Sequence, residues 1–180
     1  EKISGLKYLE DNKVDKAIRV VSDHVRAVVI SIADGQHPSN IGSGYVIRRI
    51  LRRAIRFGYT YLDIKSPFIF KLVSKVSKDL KNIYPNIKDE NKIIENVIKD
   101  EELAFLKTLD QGIILLNKLI KSSSGKIIKG QDAFKLYDTY GFPIDLTSLI
   151  AAESGFEIDI NGFNENMKKR KERSTSKSKL

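Results

Sequence analysis

Five arginines recur through one short stretch of this 180-residue chain: Arg48, Arg49, Arg52, Arg53 and Arg56. No acidic residue lies between Asp34 and Asp63, so a ladder of ion pairs within the stretch is excluded. A guanidinium is a planar fork of N–H donors that fits phosphate oxygens two at a time. Such a face therefore suits a polyanion. The bland alternative is a solvated face whose partners are acids on neighbouring helices, such as Glu101 or Asp110. Immediately before the arginines stands Pro38-Ser39-Asn40. A helix opening there would present backbone N–H groups and its positive dipole end to a phosphate. Asn40 is a turn or cap residue by type, yet its carboxamide both donates and accepts and can read a base edge. Gly42-Ser43-Gly44 matches neither a dinucleotide loop nor a P-loop, since no Gly-Lys-Ser/Thr follows.

Other chemistry is excluded by composition. The chain has no cysteine and two histidines, His24 and His37. A structural zinc site takes about four N or S ligands, so no metal is expected here, and disulfides and thiol nucleophiles are ruled out. Asp23 and His24 resemble an acid/base dyad, but adjacent helix positions point about 100° apart, which predicts a structural histidine. Thirty-two Lys and Arg against 23 Asp and Glu leave a net charge of +9. That balance favours a polyanionic partner through counterion release.

These residues need elements to hold them. Ile18, Val21, Val25, Val28, Val29 and Ile32 recur at helical spacing and predict a buried helix over 15–33, closed by Asp34-Gly35. A loop through Gly42 and Gly44 leads to a second helix from about Tyr45. Ile47, Ile50, Leu51, Ala54 and Gly58 form its apolar face, opposite the arginines. Pro67 opens a third helix through Leu80. A long fourth follows Pro85, with a stripe of Ile94, Val97, Ile98, Phe105, Leu109, Ile113, Leu116 and Ile120. Lys126–Lys129 reads as a turn or very short strand. Two brief helices broken by Gly141-Phe142-Pro143 come next, and Asn161 to Leu180 is a basic helix fading into a Ser/Lys tail. The expected fold is all-α: an irregular helical bundle with one long helix and little or no strand, over residues 1–160, with 161–180 leading towards a further domain. The longest apolar run, Ala27 to Ala33, is too short for a bilayer, and no signal-peptide pattern opens the chain. A soluble, cytoplasmic protein is expected, excised from something longer because it begins at Glu1.

The strings Asp23-His24-Val25-Arg26-Ala27, Ile32-Ala33-Asp34-Gly35, Pro38-Ser39-Asn40 and Gly44 through Ala54 resemble the alanyl-tRNA synthetases. So does the block from Ala133 through Tyr137-Asp138-Thr139-Tyr140-Gly141-Phe142-Pro143 to Thr147, as does Thr108-Leu109-Asp110-Gln111-Gly112. The resemblance implies the helical tRNA-recognition part of a class II enzyme that attaches alanine to tRNA(Ala). The ATP- and Mg-binding catalytic domain would lie before Glu1, and the zinc-dependent editing domain beyond Leu180. By motif, Asn40 and Asp138 carry over as the residues that read a G·U wobble pair in the acceptor stem. Arg48, Arg49, Arg52, Arg53 and Arg56 would grip the RNA backbone. Ile41 and Ser43 stand where relatives often carry polar or charged residues. Tyr137 and Tyr140 read as packing residues, and Lys168-Lys169-Arg170-Lys171 as a solvated helix end. The rival expectations are a stand-alone helical nucleic-acid-binding adaptor and a structural spacer.

Overall fold

The computed structural model describes residues 1–123 and 125–177, with side chains at all of these except 86, 88 and 173–177. It comprises two compact units, Glu1–Lys107 and Thr108–Leu180.

The first unit is built on two packed helices. Helix α1 runs Asn12–Ala33, three residues longer at its start than the apolar pattern predicts. Asp11 is the reason: its carboxylate accepts from the N–H groups of Lys13 and Val14 at 2.8 and 2.9 Å and caps the first turn. Gly35, at φ +80°, closes the far end. Ala17, Val21, Val25, Val28, Val29 and Ile32 are buried, each of the larger aliphatic side chains contributing about 1.5–3 kcal/mol of transfer free energy. They face helix α2, Gly42–Tyr61, whose Ile47, Leu51, Ala54 and Ile55 are buried in turn.

The expected helix after Pro67 forms only in part. A 3-10 turn occupies Ile69–Leu72, and helix α3 is Val73–Leu80. The cause is Glu102, fully buried, whose carboxylate accepts from the N–H groups of Phe68, Ile69 and Phe70 at 2.9, 2.9 and 3.0 Å. Three successive N–H groups converging on one carboxylate tighten the backbone around it. Glu102 belongs to the long helix α4, Asn86–Ser122, of which Ile94, Ile98 and Phe105 are buried along the predicted stripe.

The second unit begins within α4 and continues through β1 (Ile127–Ile128), α5 (Gly130–Tyr140), α6 (Ile144–Glu153), β2 (Glu157–Ile158) and α7 (Ile160–Lys177). The two strands pair in parallel, Ile127 opposite Glu157 and Ile128 opposite Ile158. Strand β2, two residues long, has no alternation for the sequence to reveal. Helix α5 packs on α7 through the rings of Phe134, Tyr137 and Phe163. The architecture is all-α, with seven α-helices and one two-residue strand pair among the described residues. Residues 178–180 of the expected tail lie outside those described. Among the described residues no helix is long and apolar enough to cross a membrane.

Candidate functional site

Helix α2 begins at Gly42, three residues earlier than expected; Gly42 itself turns the chain at φ +57°, a left-handed value that glycine accepts, and Gly44 lies in the first helical turn. A side chain at Gly44 would place Cβ 2.3 Å from Ser39 Oγ and 2.4 Å from the His37 carbonyl oxygen. Glycine therefore lets the preceding loop lie directly on the first turn. Ser39 N–H donates to the Gly44 carbonyl at 3.0 Å. Ser39 Oγ donates to the Ile41 carbonyl at 2.8 Å. Ser43 Oγ donates to the Gln36 side-chain oxygen. The loop so braced holds Asn40 exposed, and Ile41 beside it is 80% exposed. Ile41 is the N-cap residue and supplies no side-chain cap to the first turn.

The arginines do not form an open solvent face. Glu101, on α4 and 9% exposed at its side chain, takes two of them. Arg48 Nε lies 3.1 and 3.2 Å from its two oxygens. Arg52 donates through Nε and Nη2 to Oε1 at 2.8 and 2.6 Å, and its guanidinium stands over the Phe105 ring, 5.0 Å from the centroid. Pairing with an acid on a neighbouring helix is thus the alternative that holds for Arg48 and Arg52. Two cations thus share one carboxylate. Arg48 also reaches back to the loop, donating through Nη1 to Asn40 Oδ1 and through Nη2 to the Pro38 carbonyl at 3.5 Å. Arg49 and Arg53 are half-buried. Arg56 departs from expectation: it is 3% exposed, with Phe57 and Tyr61 5.3 and 5.0 Å from its guanidinium. A guanidinium this enclosed does not face solvent, because the residues around it on α2 are core.

Asp138 belongs to the second unit. It lies near the end of α5, 40% exposed at its side chain, and accepts from Arg170 Nε of α7 at 3.0 Å. Arg170 also stands over the Tyr137 ring at 5.8 Å, while Tyr137 meets Phe163 edge-on at 5.8 Å and 89°. Tyr137 is a packing residue, and Arg170 is more than a solvated helix end. Nothing in the spacing betrays the Asp138–Arg170 pair, since it joins two helices. Asp23 and His24 correct the expectation drawn from helix angles: His24 Nδ1 is 3.2 Å from Asp23 Oδ2. The contact is local, however, and Asp23 is 82% exposed at its side chain. Among the described residues no cluster of His, Asp or Glu could hold a metal ion.

The chain is matched from residue 1 to 180 by the family model for tRNA synthetases class II (A). It is similar to the alanine–tRNA ligase of Christiangramia forsetii, 55% identical over 174 residues, covering 97% of this chain and 20% of that protein. The alanine–tRNA ligase of Flavobacterium psychrophilum is 52% identical over 187 residues, covering 99% and 21%. That of Staphylococcus epidermidis is 47% identical over 175 residues, covering 96% and 20%. The chain thus spans about a fifth of the length of these relatives. A family match over the whole chain places this protein among the class II (A) tRNA synthetases.

Proposed function

We propose that this chain is the tRNA-gripping segment of an alanine–tRNA ligase, binding the acceptor stem of tRNA(Ala) and reading its G·U wobble pair. The observation that carries the reading is the exposed Asn40 carboxamide, set on a loop braced against an arginine helix. It stands in a chain about half identical to alanine–tRNA ligases along nearly its whole length. In a G·U wobble the guanine amino group has no pairing partner and points into the shallow groove, the accessible one in A-form RNA. An ionised Asp138 only accepts hydrogen bonds and suits an amine, whereas Asn40 can also donate.

Backbone contacts position such a complex and base contacts specify it. Arg48, Arg49, Arg52 and Arg53 supply the cationic surface in this reading. Arg48 and Arg52 contribute to it while sharing Glu101. Arg56 keeps a packing role. The ATP-dependent attachment of alanine, with its Mg, and zinc-dependent editing belong to other parts of the polypeptide.

Salt dependence of tRNA binding tests the reading. Arg49→Gln with Arg53→Gln should lower the log–log slope by about 0.7–0.9 for each phosphate no longer neutralised. A folded double variant with the wild-type slope excludes Arg49 and Arg53 from the backbone grip.

A further inference from the structure

Asn40 is a loop residue on the surface, and an exposed carboxamide ordinarily turns freely between its two flipped orientations. Here one end is claimed. Arg48 Nη1 donates to it, and a guanidinium has no acceptor, so its partner must be the amide oxygen. That removes the usual ambiguity between the oxygen and nitrogen of an Asn side chain. The nitrogen makes no hydrogen bond among the described residues. Arg48 is itself held at three points: Nε on Glu101, Nη1 on Asn40 and Nη2 on the Pro38 carbonyl. Glu101 is anchored in turn by Arg52, which is fixed over Phe105. A run of contacts therefore leads from a nearly buried carboxylate on α4 to one exposed amide in the loop.

We infer that Arg48, braced by Glu101, is a positioning residue that fixes Asn40 with its oxygen inward and its NH2 outward. The group that Asn40 meets on the RNA is then a hydrogen-bond acceptor. The inference rests on the reading of Asn40 as a recognition residue given above. Glu101 performs two tasks that its removal would separate. It sets the amide through Arg48, and it holds two guanidiniums away from other anions. Neutralising it should weaken discrimination while strengthening indiscriminate attraction to RNA. A residue that merely supports the fold would lower both together.

The test uses the full-length protein carrying Glu101→Gln, and separately Arg48→Lys, with folding followed by circular dichroism. The ratio of kcat/KM for charging G·U and G·C acceptor stems is measured beside the salt dependence of tRNA binding. In Glu101→Gln the ratio should fall by at least about fivefold, the lower end of what one base contact contributes. Its salt slope should steepen by up to about 0.7–0.9 for each released guanidinium that reaches a phosphate. Lysine keeps the charge but lacks the fork that spans Glu101 and Asn40, so Arg48→Lys should lower the ratio with little change in slope. If Glu101→Gln does not fold, Arg48→Lys decides alone. Variants that keep the wild-type ratio while Asn40→Ala abolishes it overturn the positioning role only. An Asn40→Ala protein with the wild-type ratio overturns the recognition reading, and the positioning role with it.

Discussion

Gly44→Ala sets two physical effects against each other at one position. Gly44 lies in the first turn of α2, and helix propensity alone would favour alanine by about 0.8–1 kcal/mol. Packing says the reverse. The added Cβ would stand 2.4 Å from the His37 carbonyl oxygen and 2.3 Å from Ser39 Oγ, where ordinary contact begins at about 3.4 Å. A rotating Ser39 side chain can relieve one clash, but the carbonyl is backbone. The loop must then retreat by roughly 1 Å, which strains the Ser39 N–H to Gly44 carbonyl bond at 3.0 Å and displaces Asn40. Overpacking of this kind costs about 1–3 kcal/mol, so the variant should be destabilised on balance. Urea unfolding followed by circular dichroism reads the sign from the shift in midpoint at constant m. In the full-length protein G·U discrimination should also fall, since a displacement of about 1 Å is enough to disrupt a positioned contact. A variant as stable as wild type, or more so, would refute the close packing of the loop on α2.

Two further outcomes follow from buried groups. Glu102→Gln puts an NH2 donor where three N–H groups converge and should cost about 1–3 kcal/mol by urea unfolding. Burial holds the Glu102 carboxyl above its ordinary 4.5, outweighing the Phe68, Ile69 and Phe70 N–H groups and Lys71, which pull it down. A raised folded value means that the contribution is fully present below pH 4.5 and is lost as pH rises through the raised value. The stability gap between wild type and Glu102→Gln should therefore narrow as pH rises through that window; a gap that widens contradicts the sign. Gly130→Ala would place Cβ 2.2 Å from Phe163 N, 2.3 Å from the Gly162 carbonyl carbon and 2.6 Å from the Asp159 carbonyl oxygen. All three are backbone, so α5 and the start of α7 must separate, costing about 3 kcal/mol, the upper end for overpacking. Thermal unfolding within about 0.5 kcal/mol of wild type, the ordinary range for a harmless surface change, would contradict the packing.

What the sequence reveals and conceals divides along physical lines. Helix periodicity marks α1 and α4 because their buried positions, Val21 to Ile32 and Ile94 to Leu116, repeat within the element itself. Gly42 and Gly44 read as loop because glycine is a poor helix former, yet Gly44 serves a close approach that only the folded loop creates. The 3-10 turn at Ile69–Leu72 is set by Glu102, more than thirty positions along the chain. Among site residues, the arginine register is visible and Glu101 can be named as a candidate partner, but that it takes both Arg48 and Arg52 is not legible. Arg48 and Arg52 meet Glu101 across 53 and 49 residues, and Arg56 turns inward although its spacing matches the others. Arg170 looks like a solvated cation until α7 brings it to Asp138.

The central claim is that Asn40 and Asp138 specify while the basic surface holds. Charging of G·U and G·C acceptor stems by the full-length protein tests it most directly, with Asn40→Ala and Asp138→Ala each compared with wild type. Each folded variant should lose about 1–3 kcal/mol of discrimination, the range for one base contact, while tRNA affinity at low salt stays close to wild type. Both variants folded and still favouring the G·U stem as strongly as wild type would contradict the account.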